Sequence, residues 1–197
     1  MIEYVEGLLM DKNPAFAVVD CQGVGYALHV SLNTFSKLPA AGQKCKLFTH
    51  LQIKEDAHIL YGFSMREERY LFRLLISVSG VGATTAQMML SAMNTAELVS
   101  HIANGQSSVL QTIKGIGAKT AQRITIELRD KIGKTDIAVE QFSPGDNTGN
   151  IRNEALSALT LLGFPRPTAE KAIHTILKAS DGSLSVESLI KESLKIL

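Results

Sequence analysis

The chain has 197 residues, 45% hydrophobic and 20% charged, with 20 Lys/Arg against 19 Asp/Glu and a formal net charge of +1. That apolar content, with a mean hydropathy of +0.11, excludes general disorder, and apolar runs of a few residues exclude a bilayer-spanning segment. A total near zero also argues against a nucleic-acid binder, provided the charge is evenly spread.

Residues 1–63 carry five basic and six acidic side chains and read as strands. The opening MIEYVEGLLMD places acids early and has no basic leader region, so no signal peptide is expected. Tyr26, Leu28 and Val30 share one face of an alternating run, and Lys46–Ile53 alternates in the same way. Turn signals at Lys12-Asn-Pro14, Gln22-Gly23, Pro39–Gly42 and Lys54-Glu-Asp56 punctuate the runs. About five strands in about sixty residues predict a small barrel such as an OB-fold. Cys21 and Cys45 are too few for a disulfide framework or a metal site and are expected as buried free thiols in a reducing cytoplasm.

Residues 64–134 carry nine basic and five acidic side chains, so the basic charge is concentrated here. The period switches to helical at Leu71, Leu74, Leu75 and Val78, then again at Val99/Ile102 and Ala121/Ile124/Leu128. This segment also contains a duplication. Leu75–Met89, with Gly80-Val81-Gly82-Ala-Thr84-Thr85 at its centre, recurs at an offset of 35 residues as Leu110–Ile124, with Gly115-Ile116-Gly117-Ala-Lys119-Thr120. In each copy a helix ends, a Gly-aliphatic-Gly turn follows and a new helix begins. The glycines allow angles and close approach that a Cβ would obstruct, while Val81 or Ile116 can plug the turn into a core. The new helix opens with free N–H groups and the positive end of its dipole, which favour an anion. Thr84, Thr85, Lys119 and Thr120 add side-chain donors, and Lys114 and Arg123 add charge, so a phosphate is the expected ligand. A lone Gly-x-Gly would be an ordinary helix C-cap; two copies in the basic segment argue otherwise.

Residues 135–150 lack a period and read as a flexible linker. Residues 151–197 read as a three-helix bundle, and residues 135–197 together carry six basic and eight acidic side chains. Its first helix closes at Gly163-Phe-Pro165, Pro167 lies in the first turn of the second, and Ser185 caps a third running to Leu197. Leu161, Leu162, Phe164, Ile173, Ile176, Leu177, Leu189 and Leu194 are its apolar set.

The duplicated turns are the helix-hairpin-helix pattern of proteins that bind DNA without reading its sequence. Together with Gly23-Val-Gly-Tyr26, Lys54-Glu-Asp-Ala57 and Leu60-Tyr-Gly-Phe63, they make essentially the whole chain resemble the bacterial RuvA family, the Holliday-junction-binding subunits of a branch-migration complex. The resemblance implies an α+β multidomain architecture. Its parts are an OB-fold over 1–63, a tandem helix-hairpin-helix domain over 64–134, the linker, and a three-helix partner-binding domain over 151–197. It also implies a cytoplasmic homotetramer, with an octamer left open, holding an open four-way junction through Gly80–Thr85 and Gly115–Thr120. Glu55 and Asp56 would form an acidic pin at the crossover, guiding strands apart by repelling phosphate. A RuvB-type hexameric ATPase would dock on the last domain through some of Leu161, Leu162, Phe164, Ile176 and Leu189, and a junction resolvase would be a further partner. No catalytic residue, metal or cofactor is implied. The family often has a basic residue at Thr84 and a proline at Lys114, so charge in this chain is shifted toward the second hairpin.

Three rivals are weaker. Gly115–Thr120 departs from the phosphate-binding loop of nucleotide hydrolases, since Ile113 and Ala118 occupy its glycine positions. A helix-hairpin-helix glycosylase could use Lys119 and Asp136, yet Asp136 begins the linker, where burial to tune it is not expected. The chain also has no Trp and only four Tyr for a base pocket. An architectural duplex binder would gain nothing from an acidic turn.

Overall fold

A computed structural model describes residues 2–134, 147–179 and 184–197. The chain divides into two compact units, the first carrying the strands and the helices up to Lys134, the second the remaining helices.

The first unit opens with β1 (Tyr4–Lys12), β2 (Phe16–Cys21), β3 (Val24–Val30), α1 (Leu32–Lys37), β4 (Lys44–Ile53) and β5 (His58–Phe63). The strands close into a barrel in the order β1-β2-β3-β5-β4, antiparallel except for the β3–β5 pair that completes it. Closure leaves no edge to pair with another chain. Val5, Leu9, Val19, Leu28, Val30 and Leu47 fill the barrel, each a burial worth about 1.5–3 kcal/mol. Local chemistry sets the turns: Asn13 Oδ1 accepts the Ala15 and Phe16 N–H groups at 2.8 and 2.9 Å, and Asp20 Oδ1 accepts the Gly23 N–H at 2.7 Å. Cys21 and Cys45 are free, but half-buried rather than buried; they face the margin of the barrel core on strands either side of β1.

Helices follow as α2 (Arg66–Ile76), α3 (Ala83–Ala92), α4 (Thr95–Ala103), α5 (Ser107–Leu110) and α6 (Ala118–Lys134). They bury a second core that includes Leu71, Phe72, Leu75, Met89, Leu98 and Leu128. Tyr61 and Phe63 at the end of β5 belong to this core, with both rings 5.0 Å from that of Phe72. Barrel and helices are further tied by polar groups. Arg69 pairs with Glu3 at 2.5 Å, which holds the Glu3 carboxyl below its ordinary range, chiefly through that hydrogen bond. Asn33 Nδ2 on α1 donates to the Leu90 and Met93 carbonyls at the end of α3, at 2.5 and 2.8 Å.

The buried Glu68 carboxylate accepts the Ser31 and Thr34 hydroxyls from α1 and its cap. Burial raises the Glu68 pKa, while those hydrogen bonds and the Lys37 charge oppose the rise. The stability it contributes is therefore full below the ordinary carboxylate range and is lost as pH rises through the raised value. Melts of Glu68→Gln and the native chain at about pH 4 and about pH 8 should show the variant gaining relative stability at the higher pH. Glu68→Ala should cost about 2–4 kcal/mol, because both hydroxyls lose a buried acceptor. A pH-independent difference would contradict the raised pKa.

The second unit has α7 (Asn147–Leu161), α8 (Arg166–Ala179) and α9 (Val186–Leu194). Residues 147–150, expected within the linker, are helical; 135–146 lie outside the described residues. Gly163 at φ 98° closes α7, where the Phe164 N–H returns to the Leu159 carbonyl at 3.1 Å. Ser185 caps α9 by accepting the Ser188 N–H at 3.2 Å. No helix among the described residues is long and apolar enough to cross a membrane.

Candidate nucleic-acid interface

The two copies of the repeat fold alike. Gly80 and Gly115 both sit at φ 89°, a left-handed conformation that a side chain would strain. After each, the aliphatic residue turns inward: Val81 and Ile116 are buried in the helical core. Their N–H groups are also committed, donating to the Val78 and Ile113 carbonyls at 3.0 and 3.1 Å. Val81 and Ile116, expected among the phosphate-contacting residues, are thus anchors that position the turn and have no N–H to offer a ligand.

The groups they position lie one step further on. The first hydrogen bond of α3 runs from the Ala86 N–H to the Gly82 carbonyl, and that of α6 from the Ala121 N–H to the Gly117 carbonyl, both at 2.9 Å. The N–H groups of Ala83, Thr84 and Thr85, and of Ala118, Lys119 and Thr120, precede these bonds and point out of the helix ends. No side chain caps α3. Gly82 has ordinary extended angles, φ −84° and ψ 167°, and a Cβ built there or at Gly117 meets nothing within 4 Å. The fold therefore tolerates a side chain at both positions. What a Cβ would obstruct is the space in front of each helix N-terminus, where an anion would sit.

Side chains complete two unequal sites. Thr84 is exposed and Thr85 half-buried on the first; Lys114 and Lys119 are exposed and Thr120 half-buried on the second. Arg123 is spoken for in part: Nη1 donates to the Ser79 carbonyl of the first turn at 2.9 Å, and Nε lies 4.0 Å from Glu127. It ties α6 to the first hairpin, and Met88 of α3 closes the pairing from the other side, 3.4 Å from the Cβ position of Gly115. Neither link had a signal in the sequence, since both join residues brought together by packing.

Glu55 and Asp56 are exposed at the tip of the β4–β5 hairpin, closed by the Lys54 N–H donating to the Ala57 carbonyl at 2.8 Å. They belong to the same compact unit as both hairpins, so an acidic projection and two open helix N-termini are held in one frame. At the base of that hairpin the His50 pKa is lowered by burial, then by the Arg73 and Arg69 charges.

This combination of barrel, paired hairpins and helical bundle is matched along the whole chain. Residues 1–62 match the family model described as RuvA N terminal domain, residues 72–130 the SAM-like Helix-hairpin-helix tandem, and residues 150–197 RuvA, C-terminal domain. The Holliday junction branch migration complex subunit RuvA of Christiangramia forsetii is 48% identical over 197 residues, covering 100% of both chains. The chain belongs to the RuvA family. RuvA subunits of Bacteroides fragilis and Flavobacterium psychrophilum are 45% and 46% identical, again over 100% of both chains.

In the RuvA C-terminal region the structure sorts the apolar set. Leu161 and Leu162 are 89% and 61% exposed, Phe164 and Ile176 are half-buried against the bundle core, and Leu189 is fully buried. Leu189 therefore holds the bundle together, packed with Leu159 and Ile173, and is corrected from surface to core. Asp136, the carboxylate of the glycosylase alternative, lies outside the described residues.

Proposed function

We propose that the chain is a non-catalytic subunit that binds four-way DNA junctions by structure and recruits an ATP-driven motor of the RuvB type for branch migration in the cytoplasm. The observation that carries this is the pair of open helix N-termini, each fronted by a glycine that the fold itself does not require. Backbone N–H groups, Thr84, Thr85, Lys119 and Thr120 would hold phosphates of one arm, which positions the duplex without reading bases. Four copies would match the four arms of an open junction, bringing four Glu55–Asp56 turns to the crossover, where carboxylates repel phosphate and keep strands apart. ATP hydrolysis belongs to the partner, and a junction resolvase is a further partner in this reading.

A gel-shift comparison of a four-way junction with linear duplex of equal length tests it. The junction should be strongly preferred, and Glu55→Gln with Asp56→Asn should narrow the preference by improving duplex binding. Equal binding of both DNAs by the native chain would reduce the protein to a duplex-binding architectural protein.

Lys119→Ala should weaken binding alike across sequences and make the logarithmic salt dependence shallower by about one for each phosphate no longer neutralised. A changed base preference would contradict a phosphate role.

A further inference from the structure

Between the two hairpins and the barrel, the first unit contains an open cleft of about 780 Å³. Thr84 of the first hairpin and Lys114 of the second line it, as does Lys54 at the base of the acidic turn. Its barrel side carries the exposed His29 ring, backed by Tyr61 with ring centroids 5.6 Å apart. Its helical side carries Gln87, whose amide nitrogen and oxygen are both shielded from solvent and have no hydrogen-bond partner among the described residues.

These features fit one kind of occupant. Two lysines from different elements suit a phosphate, and an imidazole backed by a phenol ring suits the face of a base. A shielded amide without partners costs free energy, and turning the Gln87 side chain into the cleft would give it a base edge that offers both a donor and an acceptor. The volume lies in the range of pockets that hold compact ligands. Resting on the junction-binding reading above, we infer that this cleft receives an unpaired nucleotide released where the acidic turn parts the strands at the crossover. Its backbone would pass between Lys54 and Lys114, and its base would stack on His29. Capturing the opened base offsets part of the cost of unpairing, so each subunit would hold the crossover open as well as keep it apart.

The test uses the full chain, saturating, on a junction carrying one 5-iododeoxyuridine either at the crossover or well inside an arm. The samples are irradiated, and the cross-linked peptides are mapped by mass spectrometry. The crossover label should cross-link to His29 about tenfold more than the arm label does, and Gln87→Leu should lower that yield severalfold. A junction that shifts normally in a gel, but whose crossover label reaches only hairpin or acidic-turn residues, overturns the cleft and leaves the junction reading standing. Failure to shift a junction at all overturns both. Cleft residues that cross-link chain to chain in the DNA-bound assembly would show a second copy filling the space, and would likewise overturn the proposal.

Discussion

Replacing Gly82 and Gly117 together with valine should abolish four-way-junction binding while lowering the melting temperature less than Gly80→Val with Gly115→Val does, because only helix capping is weakened. The fold has room for a Cβ at both positions, since one built at either meets nothing within 4 Å and Gly82 has angles open to any residue. The obstruction falls on the approach of phosphate to the N–H groups at the start of α3 and α6. A hydrogen bond to a charged group is worth about 1.5–3 kcal/mol, so losing one phosphate site on each hairpin lowers affinity at least about a hundredfold. Gly80→Val and Gly115→Val are the contrasting pair. At φ 89° they strain the turn itself, by about 1–2 kcal/mol each, so their binding loss should come with the larger drop in melting temperature. Should Gly82→Val with Gly117→Val bind junctions normally, the helix N-termini are not the phosphate sites.

Replacing Leu161 and Leu162 with aspartate should leave junction binding intact and remove stimulation of the motor's ATPase and branch migration. Two side chains 89% and 61% exposed contribute little to the bundle, so its helicity should survive. Apolar side chains presented in this way, at the end of α7 before the Gly163 turn, suit a hydrophobic partner surface. Placing charge there desolvates carboxylates at an interface core. Removing residues 151–197 altogether should have the same outcome, and Leu189→Asp should instead unfold the second unit, because that position is fully buried. If the Leu161/Leu162 variant still stimulates the motor, the docking surface lies elsewhere.

The legible parts of this molecule are those whose physics is local. The Ser185 cap, the Gly163 stop and the Asn13 turn involve partners three to five residues apart, and each stood in the sequence as a recognisable signal. Alternation placed Leu28 and Val30 inside the barrel, and the 35-residue repeat located both hairpins. The short α1 was not expected: six residues are too few to show a period, and its anchor, the Ser31–Thr34–Glu68 network, spans up to 37 residues of chain. The same limit applied to the apolar set of the second unit. Leu161, Leu162 and Leu189 are chemically alike, and only the packing of α7, α8 and α9 decides which of them faces solvent.

The formal charge of +1 said little, whereas its distribution located the DNA-binding segment, because electrostatic attraction acts through clustered charge rather than the total. By itself the sequence determined the barrel-and-hairpin architecture, the two Gly-aliphatic-Gly turns and the acidic hairpin, each carried by short-range spacing and backbone preference. Only the tertiary structure decided that Val81 and Ile116 anchor the turns while their neighbours offer N–H groups. The same holds for Arg123 joining one hairpin to the other, and for the acidic turn sharing a frame with both. Those outcomes depend on side chains far apart in the chain meeting in one packed core, and no local pattern records which pairs will meet.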